Sequence, residues 1–208
     1  MTVAAIVLAA GASTRMGSPK PLLAWGEQTL LAFELDELRR SCVDDIVVVT
    51  GARADDVRRS LADSARHCVF NARWPQGRAT SLACGATALL APSLARPEAV
   101  VIQNVDQPTH AEIVDRLVDE LRASGAEIVQ PSYQGQAGHP AVLAGALLEE
   151  LAQASEQRLG LRGVLEGHPP RRLEMDGEPI VRVDLDTPEA LSAGRLLFGV
   201  PDPAELSR

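Results

Sequence analysis

Four short stretches of the chain, residues 3–8, 46–50, 100–105 and 128–130, are dominated by aliphatic and β-branched residues without strict alternation of polar and apolar positions. Continuous apolarity of this kind suits strands covered on both faces. Between them the period changes. In residues 111–122 Ile113, Val114, Leu117, Val118 and Leu121 recur at helical spacing, with acids and arginine on the other side. Residues 29–40 and 54–65 read the same way, the latter with Val57 and Leu61 on one stripe. A last helix over 187–198 opens with Thr187, Pro188 and Glu189, a capping residue followed by proline in the first turn. Short strands alternating with amphipathic helices predict an α/β fold, Rossmann-like, with a mainly parallel central sheet between two helical layers, α/β/α.

The pattern becomes irregular between 131 and 184, where Gly135, Gly138, Pro140, Gly160, Gly163, Gly167, Pro169 and Pro170 interrupt it. No shift in composition separates this stretch. It is expected to be an insertion or lid on the same domain, which spans 1–198, with 199–208 as a loose C-terminal tail. A chain of 208 residues with 46% hydrophobic content can bury a substantial core unaided.

Charge and cysteine usage narrow the function. The net charge of −8 and an aromatic content of 3% argue against a nucleic-acid partner, which needs a basic face and stacking platforms. The first apolar run is too short to span a bilayer and has no basic leader, so no membrane role and a cytoplasmic location are expected. Cys42, Cys68 and Cys84 form no C-x-x-C pair and are read as reduced, mostly buried small hydrophobes.

The chemistry concentrates in a few loops. The first strand runs into L-A-A-G-A-S-T-R-M-G-S-P-K, residues 8–20. Small residues at the carboxyl end of a strand let backbone N–H groups approach phosphate, and Arg15 and Lys20 add positive charge. Neither G-x-x-x-x-G-K-[ST] nor G-x-G-x-x-G is present. Asp106 follows the 100–105 run and precedes Pro108, so it is placed either to hold Mg²⁺ or to cap the next helix. In V-R-V-D-L-D-T-P-E-A-L, Asp184 and Asp186 are two residues apart, on one side of a strand. Two carboxylates together are costly unless a cation or a basic group neutralises them, although Asp186 also reads as a helix cap. Gly77 and Ser81 lie in N-A-R-W-P-Q-G-R-A-T-S-L-A-C-G, where a helix begins, and serve either as its cap or as ligand contacts.

The 8–20 segment resembles the signature of the molybdenum cofactor nucleotidyltransferases, within the wider sugar-nucleotide transferase superfamily. The resemblance runs in order from Ala5 to Leu191 and implies the nucleotidyltransferase form of the α/β fold. It implies that Leu8, Ala9, Ala10 and Gly11, with Arg15 and Lys20, bind the base and phosphates, and that Gly77 and Ser81 lie near base and ribose. V-V-I-Q-N-V-D-Q-P-T is similar to the family's metal-binding G-D-M-P or A-D-Q-P form, departing at Val105 and Asn104. The resemblance makes Asp106 a metal ligand and Asp186, directly before Thr-Pro, the first choice for a second, ahead of Asp184. Gly138-His139-Pro140 and Gly160-Leu161-Arg162-Gly163 are similar to loops of the cytidylyl branch, which gives His139 and Arg162 an acceptor-side role; a histidine between Gly and Pro is otherwise a turn residue.

The implied reaction is Mg²⁺-dependent transfer of a nucleotidyl group, with Arg15, Lys20 and Asp106 as the catalytic groups. Leu8-Ala9-Ala10-Gly11 matches the cytidylyl branch, and a methyl at Ala10 narrows the base pocket, which points to CTP over GTP. Molybdopterin or the molybdenum cofactor is then the acceptor, and a molybdenum hydroxylase the client. The other readings are an NAD(P)H-dependent oxidoreductase, a non-catalytic cofactor chaperone and, nearer, a sugar-1-phosphate nucleotidyltransferase.

Overall fold

A computed structural model describes residues 2–13, 16–61 and 68–202. The chain opens with β1 (Val3–Ala9), a small hairpin of β2 (Ala24–Trp25) and β3 (Gln28–Thr29), and α1 (Leu30–Arg40). Next come β4 (Asp45–Thr50), α2 (Ala54–Ser60), β5 (Cys68–Phe70), α3 (Arg78–Leu89), β6 (Ala99–Asn104) and α4 (Ala111–Ser124). The remainder comprises β7 (Ile128–Tyr133), β8 (Gln136–Ala137), β9 (Ala141–Ala144), α5 (Leu148–Ala152), α6 (Leu161–Gly167), β10 (Arg171–Glu174) and α7 (Pro188–Leu197).

The main sheet has the order β10-β7-β9-β6-β1-β4-β5, with β8 paired to β7. β1 runs parallel to both β4 and β6, and β9 is antiparallel to its neighbours β6 and β7. Alternate residues of β1 feed opposite cores. Val3, Ala5, Val7 and Ala9 pack with α1, α2 and α4, while Ala4, Ile6 and Leu8 pack with α3, α5 and α6. This is the expected α/β/α sandwich with a mainly parallel sheet. Residues 131–184 supply β8, β9 and β10 to the sheet and α5 and α6 to one of its covering layers.

Local chemistry sets the element ends. Thr29 Oγ1 accepts from the Ala32 N–H at 3.2 Å to start α1, and Thr187 Oγ1 accepts from Ala190 N–H at 3.2 Å to start α7, with Pro188 in its first turn. A cap of this type contributes about 1 kcal/mol. α4 is capped from outside, because Glu37 Oε2 on α1 accepts the Ala111 N–H at 2.9 Å. α3 packs close to the sheet through Gly85, where an added Cβ would stand 2.4 Å from Ile6 Cγ2.

Three expected boundaries differ. α2 ends at Ser60, and residues 62–67 lie outside the described part of the chain. The last sheet-like run extends to Tyr133, three residues past its apolar core, because Ser132 and Tyr133 pair with β8. The V-R-V-D segment is not a strand: Pro179–Arg182 forms a 3-10 turn and 183–186 runs on unpaired with any strand. Proline 179 favours a turn there, yet Val183 and Leu185 still face inward while Asp184 and Asp186 face out. Val183 and Leu185 join Leu23, Trp25, Leu30, Phe33 and Leu191 in a third apolar cluster, which fastens this segment beside α1 and α7. Beyond α7, Val200 packs on that cluster and Arg195 pairs with Asp202 at 3.3 Å.

The three thiols are half-buried and free. Burial pushes each of them up, Cys42 to about 11 with help from the Asp115 carboxylate. They are therefore protonated and poorly nucleophilic at neutral pH.

His168, at the end of α6, lies 2.9 Å from both Glu127 and Glu150, and those two hydrogen bonds raise its imidazole above the usual value. A raised folded-state value makes its stabilisation fully present below the unfolded value of 6.5 and lost as pH climbs through the folded one. Thermal melts across this window should show wild-type Tm falling with rising pH relative to His168→Gln. Parallel curves for the two proteins would contradict the assignment.

Candidate functional site

The chain moves from β1 outward to β4 and β5, then crosses back to place β6 on the other side of β1. Such a reversal leaves a crevice at the carboxyl ends of the two central strands. The 10–20 loop leaves β1 there, and the Asp106 turn leaves β6 beside it. A cavity of about 330 Å³ opens between them, lined by Leu8, Ala10, Gly11, Lys20, Ser81 and Asp106 among others. Ala9 is buried in the sheet core on the opposite face from this cavity, so it supports the loop from below. Arg15 lies outside the described residues.

The loop is shaped by Ser13. Its backbone has a φ of 53°, its Oγ accepts from the Lys20 N–H at 2.9 Å, and its carbonyl accepts from Met16 N–H at 3.1 Å. Gly11 is different. Its backbone needs no left-handed conformation, and an added Cβ would meet nothing within 4 Å. Neither the chain's own conformation nor its packing requires glycine there, yet the residue lines the cavity.

Lys20 Nζ donates to Asp106 Oδ2 at 2.8 Å and to Asp186 Oδ1 at 2.5 Å. Burial works against its ammonium, but the two carboxylates outweigh burial and raise it above its usual value. The lysine expected to face phosphate thus also binds together two of the acidic groups. The Leu185 N–H donates to the Asp106 carbonyl at 2.8 Å, which registers the 183–186 segment against the β6 turn. As a result one carboxylate oxygen from each of Asp106, Asp184 and Asp186 falls within 4.8 Å of the others.

At that spacing two full charges repel by roughly 3 kcal/mol at the effective dielectric of a protein surface. Arg78 adds a more distant pair to Asp106 at 3.7 Å. Asp184 accepts from the neutral amide of Gln107 at 3.3 Å, and its carboxyl is pushed up by burial and by the Asp106 charge. Three hard oxygen donors this close together fit a divalent cation of the Mg²⁺ or Mn²⁺ type. The capping alternatives do not apply, since Thr187 caps α7 and Glu37 takes the first α4 amide.

Gly77 precedes α3 with a φ of 121°. An added Cβ there would press on the Glu156 carboxylate, whose Oε1 accepts the Ala79 N–H at 2.7 Å. The start of α3 is thereby taken by a protein group. Ser81 is buried, and its Oγ accepts from Asn71 Nδ2 at 3.0 Å while it lines the cavity. His139 stands apart from the cavity lining. Its Nε2 must carry the proton, because it faces the Val183 carbonyl at 2.9 Å, and burial lowers its imidazole to about 4. It is neutral at pH 7 and ties the 138–140 turn to the segment bearing Asp184 and Asp186. Arg162 is exposed, pairs with Glu166 at 2.9 Å, and borders a second cavity of about 200 Å³ with Asn104 and Glu156.

Three residues escaped the sequence reading. Trp74 lines the main cavity, Asn71 holds Ser81 and Thr80, and Arg78 borders the main cavity, the acidic group and the Arg162 cavity alike. All three belong to the quoted N-A-R-W-P-Q-G-R run. A tryptophan in a polar, proline-containing loop was the one signal available.

Residues 5–180 match the family described as MobA-like NTP transferase domain. The molybdenum cofactor cytidylyltransferase of Escherichia coli K12 is 27% identical over 185 residues, 88% of this chain and 91% of the relative. The crystal structure of Rv0371c from Mycobacterium tuberculosis H37Rv superposes with a TM-score of 0.77 at 28% identity, covering 94% of this chain and 98% of that one. The complex of Rv0371c with manganese gives a TM-score of 0.72 at 26% identity, again covering 94% and 98%. The chain belongs to the MobA-like NTP transferase family and is a nucleotidyltransferase of that type.

If Gly11 is kept small for a ligand, Gly11→Val should leave the unfolding free energy within the range of a neutral surface change, about 0.5 kcal/mol. Nucleotide affinity, measured by calorimetry, should fall roughly tenfold or more for a lost close contact. Unchanged affinity would remove the loop from the nucleotide site.

Proposed function

We propose that this MobA-like nucleotidyltransferase transfers CMP from CTP to the phosphate of molybdopterin or the molybdenum cofactor, releasing pyrophosphate. The observation that carries the reading is the convergence of Lys20, Asp106, Asp184 and Asp186 at the mouth of the cavity behind Gly11. An acceptor phosphate oxygen attacks the α-phosphorus in line, a new P–O bond forms, and the bond to the bridging oxygen of pyrophosphate breaks. Both reactants are anions, so positioning and charge neutralisation dominate the barrier.

In this reading Leu8, Ala10 and Gly11 accept base and ribose, with Ser81 and Gly77 on the opposite wall and Ala9 supporting the loop from the other face of the sheet. Lys20 and Arg15 stabilise the leaving pyrophosphate. Asp106 and Asp186, with Asp184 beside them, would hold Mg²⁺. Bound there, the metal supplies charge neutralisation to the reacting phosphates. His139, neutral and bonded to Val183, acts by fixing the 183–186 segment, and Arg162 meets the acceptor at the edge of the second cavity. Arg78, where the two cavities and the acidic group meet, is placed to contact the transferred phosphate. The preference for cytosine is supported by the buried methyl of Ala10 on the cavity wall and by the cytidylyltransferase relative.

A pyrophosphate-release screen of CTP, GTP, ATP and UTP with molybdopterin tests the whole reading. CTP should lead, and Asp106→Ala should lower kcat by about 100-fold or more. Release only with a sugar 1-phosphate would replace the acceptor, and no release with any acceptor would favour a carrier or redox role. Ala10→Gly should erode the preference for CTP over GTP; an intact preference would leave the base pocket unexplained. Arg78→Gln should cost roughly tenfold in kcat/KM, the scale of one charge-assisted contact. A kcat/KM equal to wild type would exclude Arg78 from the site.

A further inference from the structure

Helix α1 carries an acidic side chain that the chemistry above does not use. Glu34 points inward with Leu31, Leu35 and Leu38, is 1% exposed, and neither of its carboxylate oxygens has a hydrogen-bond partner. Across the layer lies Gln103 of β6, fully buried, whose Oε1 is also without a partner. Ala99, Val101 and Val105 share the α1 core, so the alternation of β6 sends the Gln103 side chain into the same layer, against Glu34. The amide of Gln103 can adopt only one orientation. Its Nε2 donates to the carbonyls of Asn104 at 3.2 Å and Gln107 at 2.5 Å, and a flipped amide would set an oxygen against both.

The unpartnered Oε1 thus lies in the same layer as the two unpartnered Glu34 oxygens, and an ionised carboxylate would offer it no donor. A protonated carboxyl does. It satisfies two buried atoms whose orphaning would otherwise be costly. The same state is favoured by burial first and by the nearby charges of Asp106 and Glu37, which outweigh the opposing pull of the Gln103 amide and push the Glu34 carboxyl well above the usual range.

We propose that Glu34 is a positioning residue, a neutral carboxylic acid that donates to Gln103 Oε1 and thereby holds the turn presenting Asp106. The link continues into the acidic group. Gln103 Nε2 fixes the Gln107 carbonyl, Asn104 Nδ2 donates to Gln107 Oε1 at 2.5 Å, and Gln107 Nε2 donates to Asp184. One buried proton on α1 thus orders the backbone at Asp106 and the side chain facing Asp184. The functional half of this inference rests on the reading of the acidic group as a divalent-cation site; the hydrogen bond itself does not.

Two variants separate the roles. Glu34→Gln keeps a donor for Gln103 Oε1, whereas Glu34→Leu removes it and leaves an apolar side chain in an apolar layer. Mn²⁺ affinity, followed by paramagnetic resonance, should stay within about twofold of wild type for the glutamine variant and weaken roughly tenfold for leucine, the scale of one buried hydrogen bond. Amide exchange should accelerate across residues 103–107 in the leucine variant and not along α1, which separates positioning from general loosening of the helix. The infrared spectrum of wild type should contain a protonated-carboxyl band that Glu34→Gln removes. Absence of that band, or equal impairment of both variants, overturns the neutral acid. Unchanged Mn²⁺ affinity and exchange in the leucine variant overturn the positioning role. Should wild type itself take up no Mn²⁺, the cation reading falls alone, and the band and the exchange pattern still decide the hydrogen bond.

Discussion

Like charges within 4.8 Å of one another are the constraint around which this site is organised. Asp106, Asp184 and Asp186 come from two regions of the chain nearly eighty positions apart, and their mutual repulsion favours separation. The ammonium of Lys20 opposes it by bonding to both Asp106 and Asp186. The Leu185 N–H bond to the Asp106 carbonyl sets their register. Among the described residues, Lys20, that backbone hydrogen bond and the more distant Arg78 pair hold the site, and all depend on the surrounding layers being in place.

Those layers act through unglamorous contacts. The third apolar cluster, built on Trp25, Phe33 and Leu185, presses the 183–186 segment against α1 and α7. Phe198 and His110 extend it, with ring centroids 4.8 Å apart. Glu37 holds the start of α4 by accepting the Ala111 N–H, and His110 Nδ1 lies 3.6 Å from the same carboxylate. The connection from β6 to α4, which contains Asp106, is thereby fixed at both ends. Polar groups that look misplaced in a core, Glu34, Glu37 and Gln103, all lie on this route. Buried polar side chains of this kind specify a position at some expense of stability.

The site also explains why its basic residues had to be local. A chain with net charge −8 attracts no polyanion in general. Lys20 and Arg78 supply positive charge only where the loop after β1 meets the start of α3. Glu156 takes the Ala79 amide at the start of α3, so the positive charge presented there comes from the Arg78 side chain more than from the helix N-terminus.

How much of this was legible in the sequence follows from the range of the forces involved. Continuous apolar runs revealed β1, β4 and β6 because a strand covered on both faces leaves that mark in its own residues. Thr187-Pro188 revealed the start of α7 for the same local reason, and the small residues around Gly11 marked a loop kept open at a strand end. The alternation of 183–186 told which side Asp184 and Asp186 would share, although a proline-led turn, not a strand, delivers it. Pairings between distant residues left no such mark. Nothing in the order of residues places Lys20 between Asp106 and Asp186, aligns Gln103 with Glu34, or brings Arg78 to the meeting point of two cavities. The sequence by itself determined the elements, their capping and the chemical types available at each loop, because those depend on near neighbours. Only the tertiary structure decided which charges meet, since Coulombic and hydrogen-bond partners are chosen by distance in space after the layers have packed.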